Sequence, residues 1–452
     1  MKKISFLIIA ALLAAANAFA QDAGAADVAA KTDEYMNAFV KAKNAGGAVL
    51  LARDGKILVS RGYGAADAEL NVANQSNTKF RIGSLTKQFT SAAVLLLQER
   101  GKIGVRDAVC KYLDNCPEAW REITIHQLLT HTSGIPNVTA LPDWKTKKVL
   151  SLTPAETVAL VRDAPLRFKP GTDFEYSNTN YILLGQLVEK VSGQTYEAFL
   201  KENIFGPLKM NDTGYDTWTT LVPNRARGYS RRGAEVVNAA YSDRGIPFAA
   251  GGLYSTVEDL YKWQASFDGE QILKKASIEA AFTPDKKNYG YGWGTGVWNG
   301  RKLVAHSGGI DGFSSHIFKF TDDRAAVIVL LNTDAVLAQT VALDLAAILF
   351  GGKYELPKER KEIALDAKTL DACVGKYEVA PNVVLTIAKE DDHLTLIGPG
   401  QTRGAALVPE TPTSFFIRAV DAKIDFQKDE SGRVTGLVFQ QMGRTTKARK
   451  IE

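Results

Sequence analysis

One apolar stretch with helical periodicity, Phe80–Gly101, limits the folds that are open to this chain. Its apolar residues recur at intervals of three and four, and Gly101 stands where a left-handed cap would end a helix. Val94 and Leu95 extend the apolar character around most of the remaining surface. Because a helix that is apolar on most sides must be covered by other elements, the sequence predicts a helix that runs through a core.

Two polar residues, Ser84 and Lys87, stand at the start of this apolar segment. Residues three apart lie on the same side of a helix, so the amine of Lys87 can reach the hydroxyl of Ser84. A serine becomes a nucleophile when a base takes its proton, and burial lowers the pKa of a lysine so that it can be that base. Free N–H groups and the helix dipole would also favour negative charge near Ser84.

The Ser-x-x-Lys pattern is not specific by itself, and the sequence contains further candidates. Ser76 and Lys79 repeat the pattern upstream, in a polar loop that has no helix to align them. Tyr176 and Asn178 offer a phenol and an amide in a loop just before an apolar helix. The spacing of this second pair also occurs at Tyr35-Met36-Asn37, on the predicted N-terminal helix.

The sequence His306-Ser307-Gly308-Gly309 is predicted to end a strand. Glycines at that place would let a substrate lie against the strand edge. The other histidines, at positions 126, 131, 316 and 393, lack metal-ligand spacing and are interpreted as structural. The sequence contains no nucleotide-binding loop, dinucleotide fingerprint, zinc-protease motif or Gly-x-Ser-x-Gly elbow, so nucleotide and zinc chemistry have no support.

The first twenty residues have the pattern of a secretory signal peptide. Lys2 and Lys3 precede an apolar run, Ile4–Ala16, and Ala18-Phe19-Ala20 provides the small-residue cleavage site. We therefore expect cleavage after Ala20, a periplasmic or secreted mature protein, and no transmembrane anchor. Loss of the two lysines lowers the formal charge from +5 to +3, too little to indicate nucleic acid or an acidic membrane as a partner.

The mature chain keeps three cysteines. In an oxidising compartment Cys110 and Cys116 could close a short loop with a disulfide, or they could stay as two buried thiols. Cys373 is left over under either interpretation. The pair would bridge a connection between elements and not a candidate site.

Strand patterns stand at both ends of the first 350 residues, with helices between them. Residues 47–62 form a predicted hairpin turned at Asp54-Gly55, and strand patterns return from Tyr289 to Asn332 before a closing helix, Val336–Phe350. Between them, from about Lys102 to Gly245, helical segments alternate with loops. This order predicts an α+β fold in which both chain ends complete one antiparallel sheet and a helical lobe is inserted. The catalytic cleft would lie where the lobe meets the sheet.

The last part of the chain is predicted to be all β. Residues 354–365 are rich in charge and contain Pro357, as is typical of a linker, and six strand patterns follow between Val383 and Gln440. A small separate barrel or sandwich is expected. The expected limits are 1–20 for the signal peptide, 21–352 for the first domain, 353–368 for the linker and 369–452 for the C-terminal domain.

The order Ser84-x-x-Lys87, Tyr176-x-Asn178, His306-x-Gly308 resembles the serine β-lactamase and penicillin-binding-protein family, in which three such motifs line one cleft. The resemblance runs from about Ala26 to Gly352. It is closest to the branch of class C β-lactamases, D-stereospecific peptidases, DD-carboxypeptidases and family VIII esterases. The flanking sequences that carry it are LLTHTSGI, GGLYSTVEDLYKW and HSGGIDGFS, at residues 128–135, 251–263 and 306–314. The C-terminal part is similar to the lipocalin-like domain often attached to such hydrolases.

The resemblance implies a β-lactamase/transpeptidase-like fold and an acyl-enzyme mechanism that needs no metal or organic cofactor. Ser84 would attack a carbonyl, and Lys87 and Tyr176 would share its proton as base and acid. The backbone N–H groups of Ser84 and Gly309 would form the oxyanion hole. The remaining implied site residues are His306 as a catalytic residue, and Asn178, Ser307 and Gly308 as substrate-binding residues.

The third motif departs from the pattern of β-lactamases, which carry Lys-Thr-Gly where this chain has His306-Ser307-Gly308. A histidine with a pKa near about 6.5 is mostly neutral at pH 7, whereas a lysine presents a fixed charge to a substrate carboxylate. We therefore expect an exported hydrolase of D-amino-acid peptides or small esters, with cell-wall peptide trimming as its physiological form. The alternatives are a class C β-lactamase, an esterase for lipids or xenobiotics, and a periplasmic peptidoglycan-binding sensor without turnover.

Overall fold

The computed structural model describes residues 24–452 except 115, 233–234, 360, 382, 391–392, 400–403, 418–421 and 442–443. The predicted signal peptide lies outside the described residues. The chain divides into two compact units, each of which is considered by itself. The first unit contains the residues up to Ser230, Val236–Asp334 and Val341–Pro357; the second contains Arg231–Glu235, Ala335–Thr340 and Lys358–Glu452.

Helices and strands are numbered in chain order. The helices are α1 (24–43), α2 (Thr86–Glu99), α3 (Ile125–Leu129), α4 (Trp144–Lys147), α5 (Pro154–Arg162), α6 (Asn178–Ser192), α7 (Tyr196–Leu200), α8 (Phe248–Gly251), α9 (Val257–Ala265), α10 (Lys275–Phe282), α11 (Ala338–Leu349) and α12 (Ala367–Cys373). The strands of the first 357 residues are β1 (Gly47–Arg53), β2 (Lys56–Tyr63), β3 (Ala65–Asp67), β4 (Val72–Ala73), β5 (Phe80–Arg81), β6 (Gly214–Tyr215), β7 (Tyr229–Arg232), β8 (Glu235–Asn238), β9 (Leu253–Ser255), β10 (Gly294–Trp298), β11 (Arg301–Ile310), β12 (Phe313–Phe320) and β13 (Ala325–Leu331). Among the helices of the described ranges, none is both long enough and apolar enough to cross a membrane.

The main sheet of the first unit has the strand order β10-β11-β12-β13-β1-β2, with antiparallel neighbours. Strand β1 pairs with β2 through a turn in which Asp54 and Gly55 both have positive φ, and its other edge pairs with β13. The N-terminal hairpin therefore joins strands that come more than 200 residues later. This confirms the predicted antiparallel sheet that both ends of the domain complete.

Helix α2 runs through the core of the helical part, as its apolar pattern predicts. Every residue from Thr86 to Leu97 is buried, and the ring of Phe89 stacks on that of Trp263 with 4.5 Å between centroids. Gly101, with φ of +67°, follows the end of the helix in the left-handed conformation. The helix packs against α6 and α8, which therefore meet it on the side that carries Lys87.

Three local expectations about this unit were wrong. The motif His306–Gly309 lies inside β11 and does not end a strand, because β12 continues the pairing as far as Ile310. Strand β10 begins at Gly294, so that Tyr289 lies in an irregular segment before it. Helix α6 begins at Asn178, which the sequence placed in a loop. Glycines and polar residues at these places weakened the patterns that define element limits.

The second unit contains a closed antiparallel barrel and a core of its own. Its strands are β14 (Gly375–Ala380), β15 (Val383–Glu390), β16 (His393–Ile397), β17 (Ala405–Pro409), β18 (Ser414–Ile417), β19 (Ala422–Lys428), β20 (Val434–Gln441) and β21 (Arg444–Lys450). Pairing of β14 with β21 closes the barrel. The sequence predicted an all-β unit but missed these two strands and α12. The expected domain limits stay a prediction.

The cysteine question that the sequence left open has a definite answer in the structure. Cys110 and Cys116 form a disulfide with 5.6 Å between their Cα atoms. Cys373 is a free thiol, and it is buried. The disulfide lies in the segment between α2 and α3.

Candidate active site

Ser84 lies in a short 3₁₀ turn that begins at Gly83 and leads into α2. Gly83 has φ of +51°, and a side chain on it would come within 2.9 Å of the backbone nitrogen of Gly309 in β11. The carbonyl of Ile82 accepts a hydrogen bond of 2.8 Å from the hydroxyl of Ser315 in β12. The nucleophile turn is therefore held between the helical core and the sheet, with the backbone of Gly309 beside it.

Lys87 has the hydrogen-bond partners that a neutral amine requires. Its Nζ lies 3.0 Å from Ser84 Oγ, 2.8 Å from Asn178 Oδ1 and 2.7 Å from the carbonyl oxygen of Ala250. The side chain is fully buried, and this burial lowers its pKa well below the usual value. A neutral amine can donate two hydrogens, to Asn178 and Ala250, and can turn its lone pair towards the Ser84 hydroxyl.

Tyr176 interacts with the side chain of Ser84, so its phenol and the lysine amine act on the same hydroxyl. Its ring centroid lies 4.9 Å from Lys87 Nζ and 4.3 Å from the ring centroid of His131. Burial raises the pKa of the Tyr176 phenol above its ordinary value, so the side chain keeps its proton. The opposite directions of these two pKa shifts make Lys87 suited to accept a proton and Tyr176 to donate one.

Asn178 is the first residue of α6 and holds the lysine in place. Its Nδ2 donates a hydrogen bond of 3.0 Å to Thr139 Oγ1, and its backbone N–H donates one of 3.0 Å to Asn137 Oδ1. These contacts turn Oδ1 towards Lys87. Asn137 and Thr139 were not recognised from the sequence, because a polar loop 40 residues upstream gives no sign of this contact.

His306 is held by hydrogen bonds at both ring nitrogens. Nδ1 lies 2.6 Å from the Ser307 carbonyl, which can only accept, so Nδ1 carries the hydrogen. The hydroxyl of Tyr289 therefore donates to Nε2 across 2.9 Å. Burial, together with the nearby Lys87 amine, lowers the pKa of His306 to about 3. The ring lies 6.3 Å from that of Tyr176, centroid to centroid, and it is neutral at working pH.

The rest of the third motif forms a strand edge beside Ser84. Strand β10 pairs with β11 only as far as Ala305, so in the described chain no strand covers residues 306–310 on that side. A side chain on Gly308 would lie 2.0 Å from the carbonyl oxygen of Ile82, whereas one on Gly309 would meet no described atom within 4 Å. Ser307 is exposed, and its hydroxyl lies 2.8 Å from His316 Nδ1.

The structure brings together all eight site residues that the sequence proposed, from three distant parts of the chain. The rival motifs are engaged elsewhere: Lys79 forms an ion pair of 2.7 Å with Asp212, and the Tyr35 hydroxyl donates to Asp344. Tyr289 and His131 belong to the site region but were not predicted as parts of it. A tyrosine in a glycine-rich segment and an isolated histidine have no spacing pattern that would reveal such contacts.

In the described part of the chain, no group of three or more His, Cys, Asp or Glu side chains could hold a metal ion. The contacts of Ser84, Lys87 and Tyr176 provide side-chain chemistry: a hydroxyl to attack, an amine to take its proton and a phenol to return one. The backbone nitrogen of Gly309 in β11 lies beside the turn that carries Ser84, since a side chain on Gly83 would come within 2.9 Å of it.

Both parts of this chain are similar in sequence to known protein families. A family model described as Beta-lactamase matches residues 28–349, and one described as a domain of unknown function (DUF3471) matches residues 359–451. Penicillin-binding protein 4* of Bacillus subtilis is 30% identical over 424 residues, which cover 87% of this chain and 92% of that protein.

Solved structures with a similar fold support this family relationship. The octameric penicillin-binding protein homologue from Pyrococcus abyssi has a TM-score of 0.66 and 26% identity, covering 93% of this chain and 99% of that one. The D-stereospecific amidohydrolase from Streptomyces sp. has a TM-score of 0.63 and 27% identity, covering 72% of this chain and 99% of that one. The chain therefore belongs to the beta-lactamase family, as a serine hydrolase of the penicillin-binding-protein-like kind.

Proposed function

We propose that this protein is an exported hydrolase that forms an acyl-enzyme on Ser84 and cleaves D-amino-acid peptides, their amides or small esters. One observation carries the proposal: a fully buried Lys87 amine lies 3.0 Å from the Ser84 hydroxyl and donates its hydrogens to two other acceptors. This arrangement leaves the amine lone pair for the serine proton. Trimming of cell-wall peptides is the physiological role that we favour.

In the acylation step Lys87 takes the Ser84 proton while Oγ attacks the substrate carbonyl carbon. The carbonyl oxygen gains negative charge, which the N–H groups of Ser84 and Gly309 would stabilise by a few kcal/mol. Tyr176 gives its proton to the leaving nitrogen or oxygen as the bond to carbon breaks, and the proton on Lys87 restores the phenol. Water then attacks the ester with the same pair as base and acid, which releases the acid product and free Ser84.

The third motif favours peptides and esters over β-lactams. A β-lactam carboxylate that lies against the third motif is best met by a fixed positive charge at that motif, and His306, with a pKa of about 3, is neutral at pH 7. The name of a similar structure, a D-stereospecific amidohydrolase, supports substrates of D configuration. The complete set of contacts among Ser84, Lys87 and Tyr176 supports turnover over a sensor that only becomes acylated.

The test compares one enzyme preparation on four substrates: a D-alanyl peptide, a D-amino-acid amide, a p-nitrophenyl acyl ester and a chromogenic cephalosporin. We expect turnover of at least one of the first three at a kcat/KM well above that for the cephalosporin. Efficient hydrolysis of the cephalosporin would show a β-lactamase instead, and acylation without product release would show a sensor.

The mechanism and the export are tested separately. Intact mass after exposure to a fluorophosphonate or a labelled penicillin should show one adduct, mapped to Ser84 and absent from Ser84→Ala. An adduct on Ser76 would overturn the choice of nucleophile. N-terminal sequencing of the protein from the periplasm or medium should begin at Gln21, and a retained Met1 would contradict export by signal cleavage.

A further inference from the structure

Three arginines converge on one buried carboxylate close to the nucleophile turn. Arg81 Nε lies 3.2 Å from Asp216 Oδ2, Arg225 forms a hydrogen-bonded ion pair with Oδ1, and Arg244 Nη1 lies 3.6 Å from Oδ1. The Asp216 side chain is only 1% exposed. A single carboxylate therefore contacts three guanidinium groups at a site with little access to water.

The other charged groups near this cluster do not balance it. The carboxylates that act on Arg81 are those of Asp216 and Asp311, and Asp311 is already paired with Lys148. Asp216 also acts on Arg244, and the buried carboxylate of Asp243 stands next to Arg244 in the chain. Against the three arginines, these two carboxylates still leave one positive charge in excess. An anion from outside would be attracted to this place, most strongly at low ionic strength.

Arg81 retains an unused donor. Its side chain is only 10% exposed, and the buried Nη2 has no hydrogen-bond acceptor among the described residues. Burial lowers the pKa of both Arg81 and Arg244, so a further anion would stabilise their charged forms. Arg225 and Arg244 are each 19% exposed, so the cluster can be reached from solvent. Guanidinium groups bind carboxylates and phosphates through paired hydrogen bonds.

The cluster lies near the elements that carry the site, because Arg81 is acted on by Asp311, which directly follows Ile310 at the end of β11. Arg81 stands three residues before Ser84 on β5, and Arg244 stands four residues before α8, which supplies the Ala250 carbonyl to Lys87. An aromatic surface lies beside it: the guanidinium of Arg244 is 3.8 Å from the ring centroid of Trp218. Trp218 in turn stacks on the half-exposed Tyr241, with 5.2 Å between centroids.

We propose that Arg81, Arg225 and Arg244 form a subsite for an anionic group of the substrate, a carboxylate or a phosphate. This inference rests on the proposed function, because it names the class of substrate that the same cleft prefers. A carboxylate would come from an acidic side chain or terminus of a peptide. A phosphate would come from a phosphorylated polymer.

Binding is tested first, without hydrolysis, on full-length Ser84→Ala at low salt. Calorimetric titrations with glutarate and with inorganic phosphate should detect binding, and whichever binds more tightly identifies the anion. Arg225→Gln and Arg244→Gln should weaken it by about tenfold each, as expected for one charge-assisted hydrogen bond. Arg227→Gln is the matched control, since this exposed arginine of the same segment pairs with Glu69, and it should bind like the parent.

Selectivity is tested next with two matched pairs of substrates: the p-nitrophenyl monoester of glutarate against the pentanoate ester, and D-Ala-D-Ala against its C-terminal amide. In at least one pair, Arg244→Gln should lower the ratio of kcat/KM for the anionic over the neutral member by about tenfold, with Arg227→Gln unchanged. Unchanged ratios in both pairs, or anion binding that survives both Gln substitutions, would overturn the subsite. Failure of every substrate would refute the proposed function alone, since the titration judges the subsite separately.

Discussion

Lys87 must be neutral to take the Ser84 proton, and this requirement sets the expected pH dependence. Burial lowers the pKa of the amine, so the neutral form is abundant above that lowered pKa and is lost below it. We expect kcat/KM to fall as the pH decreases through this pKa. Lys87→Arg, which stays protonated, should lower kcat by about 10²- to 10⁴-fold.

The control for this substitution is Lys79→Arg, in the rival Ser-x-x-Lys motif. Lys79 is held by Asp212, an ion pair that arginine can also form, so activity should stay within about twofold of the parent. Acylation rates measured by stopped-flow over a pH series would decide. A fully active Lys87→Arg enzyme would show that another group is the base.

His306 should not contribute to the acid limb of that profile. Its pKa of about 3 leaves the ring neutral from pH 5 upwards. His306→Asn removes the acceptor for the Tyr289 hydroxyl, so we expect a lower kcat with an unchanged midpoint of the acid limb. A midpoint that moves by a full pH unit in this variant would mean that the imidazole itself carries the catalytic proton.

Alanine substitutions at the two glycines of the third motif should differ in their effect on stability. A methyl group at Gly308 would lie 2.0 Å from the Ile82 carbonyl oxygen and 2.3 Å from Ser315 Oγ, so Gly308→Ala must displace the nucleophile turn. We expect a loss of about 1–3 kcal/mol in stability and a fall in kcat of about 10²-fold. Gly309→Ala meets no described atom within 4 Å and should keep the parent Tm. Equal Tm values for both variants would contradict this packing.

Among single residues, the sequence predicted those that belong to short motifs and missed those that meet only through folding. Ser84 and Lys87 could be paired because helix geometry relates positions three apart. Tyr289 reaches His306 because an irregular segment before β10 places it there, and its sequence neighbours give no sign of this. The tautomer and low pKa of His306 likewise follow from burial and partners, which no single sequence displays.

Among the elements, those with a regular apolar pattern were predicted well. Helix α2 has a clear period of 3.6 and a recognisable cap, and the β1–β2 hairpin has two apolar runs joined by an Asp-Gly turn. Strand β21 was missed because its sequence, Arg-Thr-Thr-Lys-Ala-Arg-Lys, has no apolar alternation. Its pairing with β20 and β14 makes it a strand, and this pairing is a property of the closed barrel.

The contact between α6 and α8 should control the position of the catalytic lysine. Gly185 on α6 faces α8, and a methyl group there would lie 2.4 Å from Ala249 Cβ and 2.5 Å from the ring of Phe248. Because α8 also carries the Ala250 carbonyl that binds Lys87, Gly185→Ala should push this acceptor away. We expect a loss of about 1–3 kcal/mol from overpacking, and a kcat lowered at least about tenfold.

Urea unfolding and acylation rates of Gly185→Ala would test this coupling. Lys190→Ala is the matched control on the same helix, since that side chain forms an exposed pair with Asp114. It should change stability by less than about 1 kcal/mol and leave acylation as it is. A Gly185→Ala enzyme that is destabilised but acylates at the parent rate would show that α8 accommodates the methyl group without displacing the Ala250 carbonyl.

In the molecule as a whole, the candidate site residues and the barrel belong to different units. Every candidate site residue lies in the first unit, whose core includes Phe89 and Trp263, while the second unit has its own core around Phe415 and Phe426. Chains with two such cores often unfold in more than one step. We therefore expect calorimetry of the full chain to resolve two transitions, of which only one is shifted by a covalent adduct on Ser84.

Phe415→Ala tests this division directly. The side chain is fully buried in the barrel, so its truncation should cost about 3–5 kcal/mol and lower one transition only. The rate of fluorophosphonate labelling at Ser84 should equal that of the parent at temperatures below this transition. Phe89→Ala, in the core of the first unit and on the same helix as Lys87, is the opposite case and should lower the other transition together with the labelling rate. If Phe415→Ala slowed labelling of Ser84 as much as Phe89→Ala does, the barrel would have to be counted as part of the catalytic machinery.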